Sequence, residues 1–118
     1  MWDLHHEAPM IEALTPLNEY LETLERIVNE LKRTGAKIIF ASTTSVAEDA
    51  IGRSNTEIAL YNKETIKLMH QLGVEINDLH KVIQADLSAN LSEDKLHLNN
   101  RGSQLCAAAV VDKIKKYL

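Results

Sequence analysis

The chain contains the run Ala36-Lys37-Ile38-Ile39-Phe40-Ala41, which is short and almost continuously apolar and ends in Ser42-Thr43-Thr44-Ser45. Such a run, with no alternation of polar and apolar side chains, is typical of a parallel β-strand that is covered by helices on both faces. Helical patterns stand on both sides of it in the sequence. The stretch therefore places the chain in the α/β class.

An amphipathic helix is predicted before this strand. Thr15 and Pro16 suit a helix cap followed by the first helical position, and Gly35 suits the end of the helix. Apolar residues recur between them at spacings of three to four, which indicates one buried face: Leu17, Leu21, Leu24, Val28 and Leu31.

A second helix is predicted after the strand. The segment Ser54-Asn55-Thr56-Glu57 has the form of a capping box, and the helix that it opens ends at Gly73. The apolar face of this helix is expected to carry Ile58, Tyr61, Leu68 and Leu72.

The rest of the chain continues the alternation. Residues 74–77 suit a second short strand, 78–84 a helical turn or short helix, and the segment to Asp94 a loop. A final helix is predicted from Asn99 or Asn100 to the C-terminus. Helices alternating with parallel strands imply right-handed crossovers and a layered α/β domain.

Two short strands make a poor parallel sheet, because such sheets are usually covered on both faces and flanked by further strands. An apolar edge at residues 38–40 also invites pairing with another chain. We therefore expect either further strands before Met1 in a longer protein or a homo-oligomer that completes the sheet between copies.

Composition excludes several classes of function. The 118 residues suit one domain or part of one, and 45% hydrophobic with 25% charged residues is the composition of a soluble globular protein. The net charge of −4 gives no basic surface for nucleic acid. No run approaches the roughly 18 apolar residues of a transmembrane helix.

The single cysteine, Cys106, is expected to be a small core residue and cannot form an internal disulfide. No signal peptide pattern is present, and the cellular compartment stays open.

One pair of side chains suggests chemistry. Asp94 precedes His97 by three residues, close to the start of the last helix. A carboxylate at this spacing can accept a hydrogen bond from one imidazole nitrogen and leave the other free to take a proton from a nucleophile. Solvated surface pairs and helix caps have the same spacing, and the pattern alone favours that interpretation over a catalytic one.

Several motifs together resemble the SGNH, or GDSL-type, hydrolases. The resemblance covers nearly all of the chain and corresponds to the C-terminal half to two-thirds of that family's domain. It implies a three-layer α/β/α, flavodoxin-like fold, of which residues 1–118 would be a single C-terminal portion. The motifs are Ala36 to Thr44, Arg53-Ser54-Asn55, Tyr61-Asn62, Ile76-Asn77-Asp78-Leu79, and Asp94-x-x-His97-Leu98-Asn99-x-x-Gly102.

The resemblance implies that Asp94 and His97 are the aspartate and histidine of a Ser-His-Asp triad acting on a small-molecule ester, either a carboxylic ester or a carbohydrate acetyl ester. It implies no cofactor and no metal. The family's Gly-Asp-Ser block and its glycine and asparagine oxyanion blocks have no counterpart here, and Trp2-Asp3-Leu4-His5 resembles the segment that follows them. The chain is therefore expected to be inactive alone, and whether it is an enzyme stays uncertain.

Other candidates have more ordinary explanations. Ser42 and Ser45 lie at a strand end where sites form, but such hydroxyls most often satisfy backbone groups, and the capping role explains Ser54. Asp3, His5 and His6 lie at a terminus expected to be frayed and lack a second ligand pair, which disfavours a metal site. We expect Asp78 to cap a helix, His80 to be a surface or packing residue, and His70, beside the apolar face of its helix, to be structural.

Two alternatives to an esterase remain. The chain could be a non-catalytic interaction module that lost its nucleophile. It could also be a small-ligand-binding domain in which Thr43, Thr44 and the following helix start hold an anion.

Overall fold

The computed structural model describes residues 2–118, in which helices alternate with two strands as the sequence predicts. The elements are α1 Leu17–Lys32, β1 Ile39–Ala41, α2 Asn55–Gln71, β2 Glu75–Asn77, α3 Leu79–Gln84, α4 Leu87–Asn90 and α5 Asn100–Ile114, followed by a 3₁₀ turn at Lys115–Tyr117.

The two strands are parallel, with Phe40 opposite Ile76 in the register. Both side chains pack in a cluster with Val28 of α1 and Met69 of α2. Because side chains alternate across a strand, Glu75 lies on the opposite face, where its carboxylate contacts the lysines and the tyrosine at the C-terminal end of the chain. Helices therefore lie on both faces of the sheet, which confirms the α/β/α layering.

Both strands are shorter than predicted. The N–H of Val74, which was expected to begin β2, donates to the carbonyl of Met69 at 2.9 Å and so belongs to the end of α2. Lys32 Nζ likewise donates to the carbonyl of Leu72, between the ends of the two helices. Pairing between the strands begins only beyond these helix ends.

Residues 3–6 are packed against the rest of the described chain and are not frayed, contrary to expectation. Leu4 is 1% exposed and lies in a second core cluster with Ala13, Val46, Ile58 and Tyr61. Thr15 does not cap α1: its hydroxyl donates to Asp3 Oδ1 at 2.9 Å, Pro16 occupies the N-cap position, and α1 begins at Leu17.

The apolar run on α5 differs most from expectation. Cys106 is half-buried, but Leu105 is 38% exposed and Val111 is 60% exposed. The inward stripe of α5 consists of Gly102, Cys106, Ala109 and the partly buried Lys113, so the other apolar side chains of the helix are exposed. Between Trp2 and the C-terminus, no helix has both the length and the hydrophobicity needed to cross a bilayer.

Candidate functional site

Asp94 and His97 lie in a closed loop between α4 and α5. Leu91 and Leu98 form an antiparallel bridge at its base, and the N–H of Ser92 donates to the carbonyl of His97 at 2.8 Å. We call residues 91–98 the hairpin. Its two ends are tied together by backbone contacts, which fix the separation of the aspartate and the histidine.

The Asp94 carboxylate holds the hairpin from inside. Oδ1 accepts hydrogen bonds from the Ser92 hydroxyl at 2.6 Å and from the N–H groups of Leu96 and His97 at 3.0 and 2.9 Å. Oδ2 lies 2.6 Å from Nδ1 of His97. The Ser92 hydroxyl first, and then His97, hold the pKa of Asp94 well below its usual range, so this group is ionised at neutral pH.

The hairpin is also fixed to the loop that precedes α2. Lys95 has φ of +66°, a left-handed conformation that is uncommon for a side chain with a Cβ. Its carbonyl accepts from the N–H of Ala47 at 3.0 Å, and its ammonium contacts Asp49. These contacts hold the tip of the hairpin in place.

The pair is open to solvent, with side-chain exposures of 76% for His97 and 51% for Asp94. Since Nδ1 of His97 faces the carboxylate, Nε2 is the nitrogen available for proton transfer. The arrangement can therefore hold an imidazole in one orientation and stabilise it when it becomes charged.

The sequence predicted neither the contacts of Ser92 nor those of Asn99, although Asn99 was expected near the start of the last helix. Ser92 contributes the shortest hydrogen bond to Asp94 Oδ1, and only its position two residues before the aspartate could have indicated this. Asn99 caps α5 by accepting from the N–H of Gly102 at 2.9 Å, while its amide donates to the carbonyls of Ala89 and Leu91. Asn99 thus connects α4, the hairpin and α5.

The internal serines have other partners. The Ser42 hydroxyl donates to Asp78 Oδ1 at 2.8 Å and accepts from the N–H of His80 at 3.0 Å. Ser45 is fully buried, with its oxygen 3.1 Å from Nδ1 of His80. Ser54 caps α2 as predicted, accepting from the N–H of Glu57.

The other candidates from the sequence, apart from His70, also contact other residues. The N–H of Thr43 donates to Asn62 Oδ1 at 2.9 Å, which removes it as a donor to an anion. His6 Nε2 lies 3.1 Å from Glu57, His5 Nε2 lies 3.4 Å from Glu7, and His70 is exposed on α2. Within residues 2–118 no three His, Cys, Asp or Glu side chains gather as a metal-binding group would.

A cleft of about 220 Å³ adjoins the pair. It is lined by residues 94–96 of the hairpin and by residues 49–51 and Arg53 of the loop before α2. A larger cavity of about 650 Å³ lies between α1 and α2 and includes neither Asp94 nor His97. The smaller cleft is therefore the one that belongs to the candidate site.

The sequence matches no protein-family model, and no curated protein matches it significantly. Solved structures do match. The lipase/acylhydrolase from Enterococcus faecalis aligns with 98% of this chain at a TM-score of 0.84 and 21% identity. An acetyl xylan esterase, AlAXEase, aligns with 95% at 0.76 and 19% identity, and the acetylxylan esterase Axe2 from Geobacillus stearothermophilus with 85% at 0.71 and 22% identity.

The chain spans about half the length of these structures: 57% of the lipase/acylhydrolase, 62% of AlAXEase and 48% of Axe2. At these identities the likeness concerns the fold. The chain thus has an α/β fold that corresponds to about half of the fold found in these ester hydrolases.

Proposed function

We propose that this chain carries the acid-base part of an SGNH, or GDSL-type, ester hydrolase, with His97 as the general base and Asp94 as the carboxylate that orients it. The observation that carries the proposal is the distance of 2.6 Å between His97 Nδ1 and Asp94 Oδ2. The hairpin that bears both residues is closed at its base and held at its tip by backbone hydrogen bonds. The fold shared with esterases supports it.

In the proposed reaction Nε2 of His97 takes the proton of a serine hydroxyl while the serine oxygen attacks the ester carbonyl carbon. The imidazolium then gives this proton to the departing alcohol, and an acyl-serine ester remains. In the second half-reaction water attacks that ester and loses a proton to His97. The bond between the acyl carbon and the serine oxygen breaks, and the imidazolium returns the proton to the serine oxygen as the carboxylic acid departs. Asp94 keeps the imidazole in one tautomer and stabilises its charged form.

The nucleophilic serine and the oxyanion donors are proposed to lie outside these 118 residues. The three candidate serines have other contacts: Ser42 donates to Asp78, Ser45 lies against His80, and Ser54 caps α2. Residues 1–118 would then be the C-terminal portion of the domain. The substrate would be a carboxylic ester, with a carbohydrate acetyl ester as one candidate.

The test is labelling with a fluorophosphonate followed by intact-mass analysis. The 118-residue chain is expected to form no adduct. The same chain extended by the protein segment encoded upstream is expected to form one adduct, on a serine of that segment. Labelling should fall by about 10³-fold or more in His97→Ala, because the serine loses its base.

His70→Ala is the matched control, since His70 is an exposed histidine on α2, and it should label normally. An adduct on a serine within residues 1–118 would refute the assignment of the nucleophile. If His97→Ala does not reduce the labelling of the extended chain, the proposed role of His97 is refuted. If the extended chain forms no adduct at all, the result favours a non-catalytic interaction module.

A further inference from the structure

Arg53 is the cation of the cleft that has no carboxylate partner. In this cleft Lys95 contacts Asp49, and Asp94 contacts His97. Arg53 makes no salt bridge within residues 2–118, and its Nε is buried without a hydrogen-bond partner in that part of the chain. Because Nε has almost no accessible surface, a ligand would meet the terminal N–H groups of the guanidinium, whose charge has no carboxylate partner in the described residues.

Trp2 lies against this guanidinium. The Arg53 carbon Cζ is 5.2 Å from the centre of the indole ring, within the range of a cation–π contact. Contact with an aromatic face restricts the orientation of a guanidinium and leaves the N–H groups at its edge free to donate hydrogen bonds. Trp2 itself is 71% exposed, so the ring is open to a ligand as well.

The position of Trp2 is fixed by the segment that follows it. Leu4 is buried in the core, and the His5 ring packs edge-on against Trp2 with centroids 5.5 Å apart. The His5 ring also occupies the space beside Gly52, where a Cβ would lie 2.5 Å from it, and the N–H of His6 donates to the Gly52 carbonyl at 3.0 Å. These contacts bring the two distant segments together.

We propose that Arg53, stacked on Trp2, binds an oxyanion, either a carboxylate or a phosphate, that the ester substrate carries. The inference rests on the proposed function, because the oxyanion belongs to a substrate only if an ester is hydrolysed at the neighbouring His97. It names the substrate class as esters of acidic molecules. The guanidinium fork matches both oxyanions in geometry and charge. A cleft of about 220 Å³ is smaller than the roughly 300–1,000 Å³ of drug-sized sites, so it fits one such group of a larger substrate.

The other charges of the cleft do not prevent this. Asp49 is balanced by Lys95, and Asp94 is engaged by Ser92, by two backbone N–H groups and by His97. Arg53 is therefore the one cation of the cleft without a carboxylate partner in the described residues, and because Asp94 keeps its negative charge, the anion is expected to bind on the Arg53 side of the cleft.

Trp2 makes the test direct, because the chain has one tryptophan and its fluorescence reports on the ring beside Arg53. We would titrate the 118-residue chain at constant ionic strength with glucose, glucuronate and glucose 6-phosphate, which share a sugar ring and differ in charge. A saturable change is expected with at least one of the two anions and none with glucose. Comparison of the two anions identifies carboxylate or phosphate as the preferred group.

Arg53→Gln should weaken anion binding at least about tenfold, and Arg53→Lys, which keeps the charge but loses the fork, should also weaken it. Arg33→Gln is the matched control, because it removes an exposed arginine charge at the end of α1 and should bind normally. The proposal is overturned if glucose produces the same change, if neither anion binds, or if Arg53→Lys and Arg33→Gln bind equally well.

His97→Ala is expected to keep the anion affinity, since His97 does not line the cleft. Failure of the inference is thereby separated from failure of the proposed function. Anion binding together with labelling that does not depend on His97 would support the anion site and refute the proposed role of His97. Labelling that depends on His97, without anion binding, would support the proposed function and refute the anion site.

Discussion

Gly102 of α5 lies directly against the backbone carbonyl of Asn90, the last residue of α4. A Cβ at position 102 would lie 2.4 Å from that oxygen. The same carbonyl accepts the N–H of Asn99 at 3.0 Å, so the contact closes the base of the hairpin that carries His97. A side chain at position 102 would have to separate α5 from α4.

Gly102→Ala is therefore expected to lower the free energy of unfolding by about 1–3 kcal/mol, the range for inserting a methyl group into a packed site. The atom that it meets is backbone, which can give way only by moving the helix. Urea denaturation would measure the change. Ser103→Ala, at the neighbouring exposed position of α5, should lie within about 0.5 kcal/mol of the unchanged chain. Equal stability of the two variants would contradict the close approach.

Asn99→Ala removes three hydrogen bonds at once: the cap of α5 and the two amide contacts to Ala89 and Leu91. A lost N-cap alone costs about 0.5–2 kcal/mol, and each further bond adds about 1 kcal/mol. We expect a loss of about 2–4 kcal/mol in urea denaturation. Asn100→Ala, which changes an exposed asparagine one residue later, should cost far less. A similar cost at both positions would show that Asn99 has no special role.

The carboxyl group of Glu75 is expected to make the free energy of unfolding depend on pH. Contacts with Lys116 and then Tyr117 lower the pKa of Glu75 from 4.5 to about 2. A carboxyl group with a lower pKa in the folded chain stabilises it above the unfolded pKa, and this contribution is lost as the pH falls from about 4.5 towards 2. Between about pH 6 and pH 3 the urea midpoint of Glu75→Gln should therefore fall less than that of the unchanged chain.

Glu22→Gln provides the comparison for this pH effect, because Glu22 is exposed on α1 and makes no salt bridge in the part of the chain that the structure describes. Its midpoint should follow the unchanged chain at both pH values. Parallel curves for Glu75→Gln and Glu22→Gln would show that the contacts of Glu75 do not stabilise the fold.

Local signals made the order of elements predictable. The caps at Ser54 and Asp78 are confirmed, because each side chain accepts the backbone N–H three residues later. The end of α2 before Gly73 is confirmed as well, with that glycine at φ of +66°. These features depend on neighbouring residues, so the sequence carries them directly.

Contacts between distant segments could not be predicted. The four-residue helix α4 was missed because a single turn is too short to show the apolar spacing of a helix. The exposure of Val111 was missed because hydrophobicity does not tell which element covers a side chain. The contact of Trp2 with Arg53 joins residues far apart in sequence and depends on the packing of Leu4 and Gly52.

The proton on His97 provides the sharpest prediction for the candidate pair. Because Asp94 Oδ2 can only accept, neutral His97 is expected to carry its proton on Nδ1. Asp94→Asn keeps an oxygen for the backbone N–H groups of Leu96 and His97 but places an amide donor opposite Nδ1, so the proton should move to Nε2. Nitrogen-15 NMR of the two ring nitrogens distinguishes the tautomers, and His70 serves as the internal reference. A His97 ring protonated on Nε2 in the unchanged chain would mean that Asp94 does not orient it and would remove the structural basis of the proposed general base.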